Sequence, residues 1–83
     1  MRKINEWSLN PTPAESAWIK YQLELADVTS RAIAAITFTG VGDVSNVIAG
    51  RRHSRKIEQE IAKVCGYPSW NDMLRSLRGE DAA

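Results

Sequence analysis

Apolar residues recur at helical spacing in several short segments of this chain, and the first begins after a proline-containing start. Thr12, Pro13 and Glu15 form a capping-box pattern with proline in the first helical position, where its missing N–H costs nothing. The stripe that follows consists of Trp18, Tyr21, Leu25 and Val28, broadened by Ile19 and Leu23. We therefore predict a first helix that buries this stripe in the core.

Two shorter helices are predicted next, separated by a turn. Thr29 or Ser30 caps the second helix, whose predicted buried residues are Ile33, Ala34 and Ile36. The stretch "ITFTGVG" alternates like a strand, but its two glycines favour a turn. In the third helix Asp43 is the predicted cap, Gly50 the predicted stop, and the predicted buried residues are Val44, Val47 and Ile48.

The last two predicted helices have clear start and stop signals. Ser54 opens the fourth, Gly66 and Pro68 close it, and its apolar positions are Ile57, Ile61, Val64 and Cys65. Ser69 and Asp72 begin the fifth, Gly79 ends it, and its apolar positions are Trp70, Met73, Leu74 and Leu77. These patterns predict an all-α fold, a small five-helix orthogonal bundle. We expect an N-terminal arm over residues 1–12, flexible or laid over the domain, a domain over 13–79 and a flexible tail over 80–83.

Composition narrows the class of protein. The 83 residues are 43% hydrophobic and 25% charged, which is typical of a single small globular domain. Cys65 is the only cysteine, so no disulfide forms within the chain, and we expect a small core residue there. No long apolar run or signal-peptide pattern occurs. We therefore expect a protein of the reducing cytoplasm.

Positive charge is concentrated in residues 51–56, which we call the basic segment. The whole chain has a net charge of only +1, whereas this segment carries Arg51, Arg52, Arg55 and Lys56, with His53 between them. In the first turn of a helix, cations are mildly unfavourable unless an anion binds the free N–H groups there. The segment thus favours phosphate binding, and Ser30 with Arg31 offers a second such site. The alternative is a solvated loop whose arginines pair with Glu58 and Glu60.

The order of these segments resembles a known family. A capped helix containing a small residue, a glycine turn, "VSNVIAGRR" and "SRKIEQEIAKVCGYP" are similar to the lambda-repressor-like helix-turn-helix family, and among its members to short regulators of the Ner type from Mu-like phages and prophages. The resemblance covers residues 29–68. It implies a sequence-specific DNA-binding transcriptional regulator, a repressor encoded by a phage or prophage, associated with the nucleoid and bound to double-stranded DNA.

The turn of such a motif needs a small residue on the first helix and a turn residue that tolerates positive φ. Ala34 meets the first need. The usual turn position falls on Phe38, a residue poorly suited to that backbone conformation. We expect Gly40 to take the turn instead, which lengthens it by about two residues and shortens the third helix at its start.

The resemblance implies that the third helix enters the major groove. Its outer side consists of Gly42, Asp43, Ser45, Asn46 and Ala49. Asn46 pairs well with adenine and Ser45 with several base edges, although both also suit a solvated helix face. The predicted DNA-binding residues are Ser30, Arg31, Gly42, Asp43, Ser45, Asn46, Arg51, Arg52, His53, Ser54, Arg55 and Lys56.

Other functions receive less support from the sequence. No catalytic set is evident, so we expect neither an enzyme nor a cofactor, and His53 and Cys65 are too isolated for a metal site. Trp7 and Trp70 are expected to complete the core or clamp the arm. The rival hypothesis is a protein-interaction adaptor on the same fold, with Trp7, Ile19 and Leu23 as its apolar contact face. We expect a monomer at micromolar concentration when free, with weak pairing driven by DNA that presents two adjacent half-sites, because larger family members carry a separate dimerisation domain that we do not find in this sequence.

Overall fold

The computed structural model describes residues 8–79, and within that range the fold is all-α, with five helices and no strand. The helices are α1 (Pro13–Leu25), α2 (Ser30–Thr37), α3 (Val41–Ile48), α4 (Arg55–Val64) and α5 (Trp70–Leu77). All five predicted helices are present. Residues 1–7, with Trp7, and the predicted tail 80–83 lie outside the described residues.

Side-chain caps begin four of the helices as the sequence predicts. Thr12 and Glu15 form the full capping box of α1, and Thr29, Ser54 and Ser69 accept a backbone N–H at the starts of α2, α4 and α5. The prediction for α3 is wrong. Its N-cap is Gly40, and Asp43 lies three residues inside the helix, where its carboxylate accepts the Gly40 N–H at 3.2 Å.

The residue after α2 is Phe38, and it adopts the left-handed conformation, with φ 57° and ψ 45°. The Thr39 N–H then donates to the Ala34 carbonyl at 2.9 Å, which ends the helix. Gly50 after α3 and Gly66 after α4 have positive φ in the same way. Gly40 has φ −94°, a value that other residues also adopt, so the position does not require the access of glycine to positive φ. The expected turn at Gly40 is therefore wrong: the connection is not lengthened, and α3 begins at Val41 without being shortened.

The core is a single cluster to which all five helices contribute. Its buried apolar residues are Ile19, Leu23, Ile33, Ala34, Val44, Val47, Ile48, Ile57, Ile61, Trp70, Met73 and Leu74. Around it pack partly buried side chains, including Trp18, Val28, Val64, Cys65 and Leu77. Burial raises the pKa of the Cys65 thiol. The stripes predicted for α3, α4 and α5 therefore face the core.

The predicted faces of α1 and α2 are wrong in part, although Ile19, Leu23, Ile33 and Ala34 are buried as expected. Tyr21 and Leu25 are 57% and 63% exposed, because α1 turns Ile19 and Leu23 toward the core. Ile36 is 57% exposed, and the buried residue at the end of α2 is Thr37, whose hydroxyl donates to the Ile33 carbonyl at 2.8 Å. A polar residue is acceptable there because its hydroxyl is hydrogen-bonded within the helix.

Residues 8–11 lie over α5 and the end of α3. The indole N–H of Trp70 donates to the Leu9 carbonyl at 2.8 Å, and the Leu9 N–H donates to Asn71 Oδ1 at 2.8 Å. Pro11 is buried, and its carbonyl and ring lie beside Gly50. Trp70 thus belongs to the core and clamps the arm. Across residues 8–79, the helices are too short or too polar to span a bilayer.

Candidate nucleic-acid interface

The outer side of α3 is available to a ligand because its other side is fixed in the core. Val44, Val47 and Ile48 are buried, which turns Gly42 and Ser45 to the exposed surface. Asp43, Asn46 and Ala49 are partly exposed beside them. The predicted outer side of the third helix is therefore the observed one.

A groove of about 500 Å³ runs between α1, the start of α2 and α3. It brings together three predicted site residues, Ser30, Ser45 and Arg51, which are distant in the sequence. Lys20 and Glu24 of α1, together with Thr29, complete its polar lining. The start of α2, the outer side of α3 and the first residue of the basic segment thus share one surface.

Asn46 and Arg51 are linked by two hydrogen bonds. The Arg51 Nε–H donates to Asn46 Oδ1 at 3.2 Å, and the Arg51 backbone N–H donates to the Asn46 carbonyl at 2.9 Å. An amide oxygen has two lone pairs, so Oδ1 accepts a second donor without releasing Arg51. Asn46 therefore orients the guanidinium group and keeps its own amide N–H groups for another partner.

Arg52 lies against the start of α3. Its Nη1 is 3.6 Å from Asp43 Oδ1, and the other carboxylate oxygen of Asp43 accepts the Gly40 N–H. Both side chains are well exposed, so this pair contributes little stability. Asp43 therefore holds the helix start and partly neutralises Arg52, and its negative charge does not favour a phosphate ligand.

His53 turns toward the body of the protein. Its Nδ1 lies 2.8 Å from Glu58 Oε2, and the Ser8 hydroxyl donates to Glu58 Oε1 at 2.7 Å. The Glu58 side chain is buried, so these contacts satisfy a carboxylate that would otherwise be costly. In the described part of the chain, no arginine of the basic segment forms an ion pair with Glu58 or Glu60, so the pairing expected in the solvated-loop alternative is wrong, although these arginines are exposed. Glu58 contacts His53 and Ser8 instead.

The start of α4 presents cations to solvent. Ser54 accepts the Ile57 N–H at 3.5 Å, and Arg55 and Lys56 occupy the first turn. Arg31 is similarly placed in the first turn of α2. These three cations are exposed and form no ion pair with residues 8–79. Lys56, however, lines a second hollow between α2 and α4, so it lies apart from the groove residues.

Three residues at or near the candidate interface are not among those predicted from the sequence, namely Lys20, Glu24 and Val41. Lys20 and Glu24 were overlooked because the outer face of α1 was not considered as part of a site, although their spacing of four shows that they share a face. Val41 was missed because α3 was expected to begin later, and it is 44% exposed in the first helical position.

Within residues 8–79, no cluster of three or more His, Cys, Asp or Glu side chains is placed to hold a metal ion. Comparisons of the chain with protein-family models, with curated proteins and with solved structures find no match. The case for a function therefore depends on the geometry of the chain itself.

Proposed function

We propose that this protein is a sequence-specific DNA-binding transcriptional regulator, in which α2, its connection and α3 form a helix-turn-helix unit. The observation that carries the proposal is the groove that unites Ser30, Ser45 and Arg51. In a helix-turn-helix protein one helix crosses the DNA backbone while the next lies in the major groove. The shared surface of the α2 start and the α3 outer side supports that arrangement.

The connection between α2 and α3 also supports a helix-turn-helix unit. Phe38, Thr39 and Gly40 join them, which is the short turn typical of the motif. Ala34 of α2 is buried in the core, and a small side chain on this helix allows a neighbouring helix to approach closely. The left-handed residue lies directly after α2, as this geometry requires.

Each part of the surface has a role in this proposal. Ser45 and Asn46 reach base edges, and Val41 suits contact with a thymine methyl group because it is apolar and exposed at the start of α3. Arg51, Lys20 and the α2 N-terminus bind phosphates, which fix the register without reading sequence. A repressor of phage or prophage origin is the form of regulator that the family resemblance suggests.

The first test is a titration with random duplex DNA at several salt concentrations. We expect the affinity to fall steeply with salt, and the variant Arg51→Ala with Arg52→Ala to bind all sequences more weakly, with a salt slope smaller by about two. Arg52 loses part of this effect if its contact with Asp43 persists on DNA. Lys63→Ala, which removes an exposed cation from the last turn of α4, is the control and should change little.

Failure of the wild-type protein to bind DNA at low salt would refute the proposal. Binding without any change in the double variant would instead remove Arg51 and Arg52 from the interface. Selection of bound sequences from a random duplex library then tests specificity, because a recovered motif identifies a regulator and an absence of enrichment excludes one.

A further inference from the structure

Phe38 combines two unfavourable features in one residue. It is 90% exposed, and its φ of 57° lies in a region that bulky side chains rarely adopt. Gly50, Gly66 and Asp27 occupy the left-handed positions after α3, α4 and α1, and all three are residue types that tolerate this conformation. A glycine or asparagine would end α2 equally well in this conformation. The need to end the helix therefore does not explain why a phenylalanine occupies this position.

The surroundings of Phe38 form a knob beside a hollow. Ile36 and Phe38 are exposed at the end of α2 and line one side of a hollow of about 410 Å³, whose other side is formed by Lys56, Gln59 and Glu60 of α4. We call these five residues the knob surface. A hollow of this size admits an aromatic side chain from another molecule.

The charges on this surface are self-complementary. Lys56 and Glu60 have opposite signs, lie one helical turn apart on α4 and form no ion pair with residues 8–79. In a two-fold symmetric pair, contacts are reciprocal: if one residue of the first copy contacts a second residue of the other copy, the same contact occurs with the copies exchanged. Lys56 of each copy then meets Glu60 of the second copy, so a single chain supplies both members of the contact.

The apolar area sets the strength of such a pair. An aromatic side chain buries about 150–250 Å², so Phe38 with the smaller Ile36 provides less than the roughly 800 Å² per partner of a standard interface. A contact of this size gives weak association, because loss of free rotation and translation offsets most of the gain.

We propose that the knob surface is a weak self-association site, in which Phe38 of each copy enters the hollow of a second copy and Lys56 pairs with Glu60 across a two-fold axis. The proposal concerns the free protein and does not rest on DNA binding. It also gives Lys56 a protein partner in place of a phosphate.

The test is sedimentation equilibrium of the free protein up to about 1 mM, where association with a dissociation constant of that order is detectable. We expect reversible dimerisation in the wild type. Phe38→Asn should weaken it at least about tenfold while leaving the fold intact, because asparagine tolerates positive φ. Leu25→Gln removes an exposed apolar side chain from α1 and should leave the association unchanged. A wild type that stays monomeric, or a Phe38→Asn variant that still dimerises, overturns the proposal.

A charge exchange identifies the second copy as the occupant. Lys56→Glu or Glu60→Lys alone should weaken dimerisation about threefold or more, because like charges then face each other twice. The double exchange has the net charge of the wild type and should return the association constant to within about twofold of its value. A double variant that stays as weak as the single ones refutes the two-fold pairing.

Discussion

In the proposed regulator, Asn46 is the side chain on which base reading would most depend. Its amide oxygen already accepts the Arg51 Nε–H, and its amide N–H groups have no partner among residues 8–79. A paired contact with adenine uses one acceptor and one donor of the amide group. Asn46 therefore has the capacity to read a base and to orient Arg51 at the same time.

Replacing this residue separates base reading from phosphate binding. We expect Asn46→Ala to weaken binding to the preferred DNA site by about 1–3 kcal/mol and to change binding to random DNA much less. Equilibrium titration with both duplexes gives the comparison. Equal losses on the two would assign Asn46 to the backbone contact or to the positioning of Arg51.

The control for this prediction uses Arg51 itself. If Asn46 acted only by orienting Arg51, Asn46→Ala would have no further effect in an Arg51→Ala background. We expect the loss on the preferred site to persist there, and its disappearance would contradict direct base reading.

At the scale of elements, an ion pair joins the start of α1 to the end of α5. Arg78 Nε donates to Glu15 Oε2 at 2.9 Å, and Oε1 of the same carboxylate accepts the Thr12 N–H at 2.9 Å. The hydrogen bond from Arg78 is the largest influence on this carboxyl and holds the pKa of Glu15 below its usual value. The capping box and the contact between helices thus share one side chain.

Stability should therefore depend on pH through Glu15. A carboxyl group whose pKa is lower in the folded than in the unfolded protein stabilises the fold. This contribution is complete above the pKa of the unfolded protein, about 4.3, and is lost as the pH falls through the pKa of the folded protein. We expect the free energy of unfolding, measured with urea, to drop below about pH 4 by less in Glu15→Gln than in the wild type. Glutamine keeps the cap, because its side-chain oxygen still accepts the Thr12 N–H.

Glu24→Gln is the matched control for that experiment. Glu24 lies on the same helix but is exposed, and it forms no ion pair with residues 8–79. Its variant should follow the wild-type pH profile. A Glu15→Gln profile that matched the wild type as well would show that the ion pair with Arg78 adds no pH-dependent stability.

At the scale of the whole molecule, the segment before α1 connects helices that are distant in the sequence. Ser8 contacts Glu58 of α4, Leu9 contacts Trp70 and Asn71 of α5, and Pro11 packs beside Gly50 after α3. Two of these contacts satisfy buried polar groups, namely the Glu58 carboxylate and the Asn71 amide. Residues 8–11 therefore belong to the folded unit.

Alanine substitutions at two glycines test how much the contact between Pro11 and Gly50 contributes to the free energy of unfolding. Gly50 and Gly66 both have positive φ, but an added Cβ at Gly50 lies 3.2 Å from the Pro11 carbonyl oxygen, whereas at Gly66 it meets no atom within 4 Å. Gly66→Ala should cost about 1 kcal/mol of unfolding free energy through backbone strain alone. Gly50→Ala should cost about 1 kcal/mol more, because Pro11 must also move.

Urea denaturation of both variants checks this difference. Equal losses would mean that the arm yields to the added methyl group without cost, and that it contributes little to the stability of the whole molecule.

The sequence by itself determined the helices of this protein. Four of the five N-caps, the left-handed closures at Gly50 and Gly66, and the inner face of α3 follow from interactions between residues a few positions apart. Such signals are local, so they can be read without knowing the fold. The basic segment is likewise a property of composition along the chain.

Only the tertiary structure decided which surfaces meet. The apolar residues of α1 allow two faces at helical spacing, and the face that fits the other helices is the one with Ile19 and Leu23. The packing of α2 against α3 fixes where α2 ends, so Phe38 accepts a strained backbone while Gly40 caps α3. The groove that joins Ser30, Ser45 and Arg51 depends on contacts distant in sequence, which no local pattern encodes.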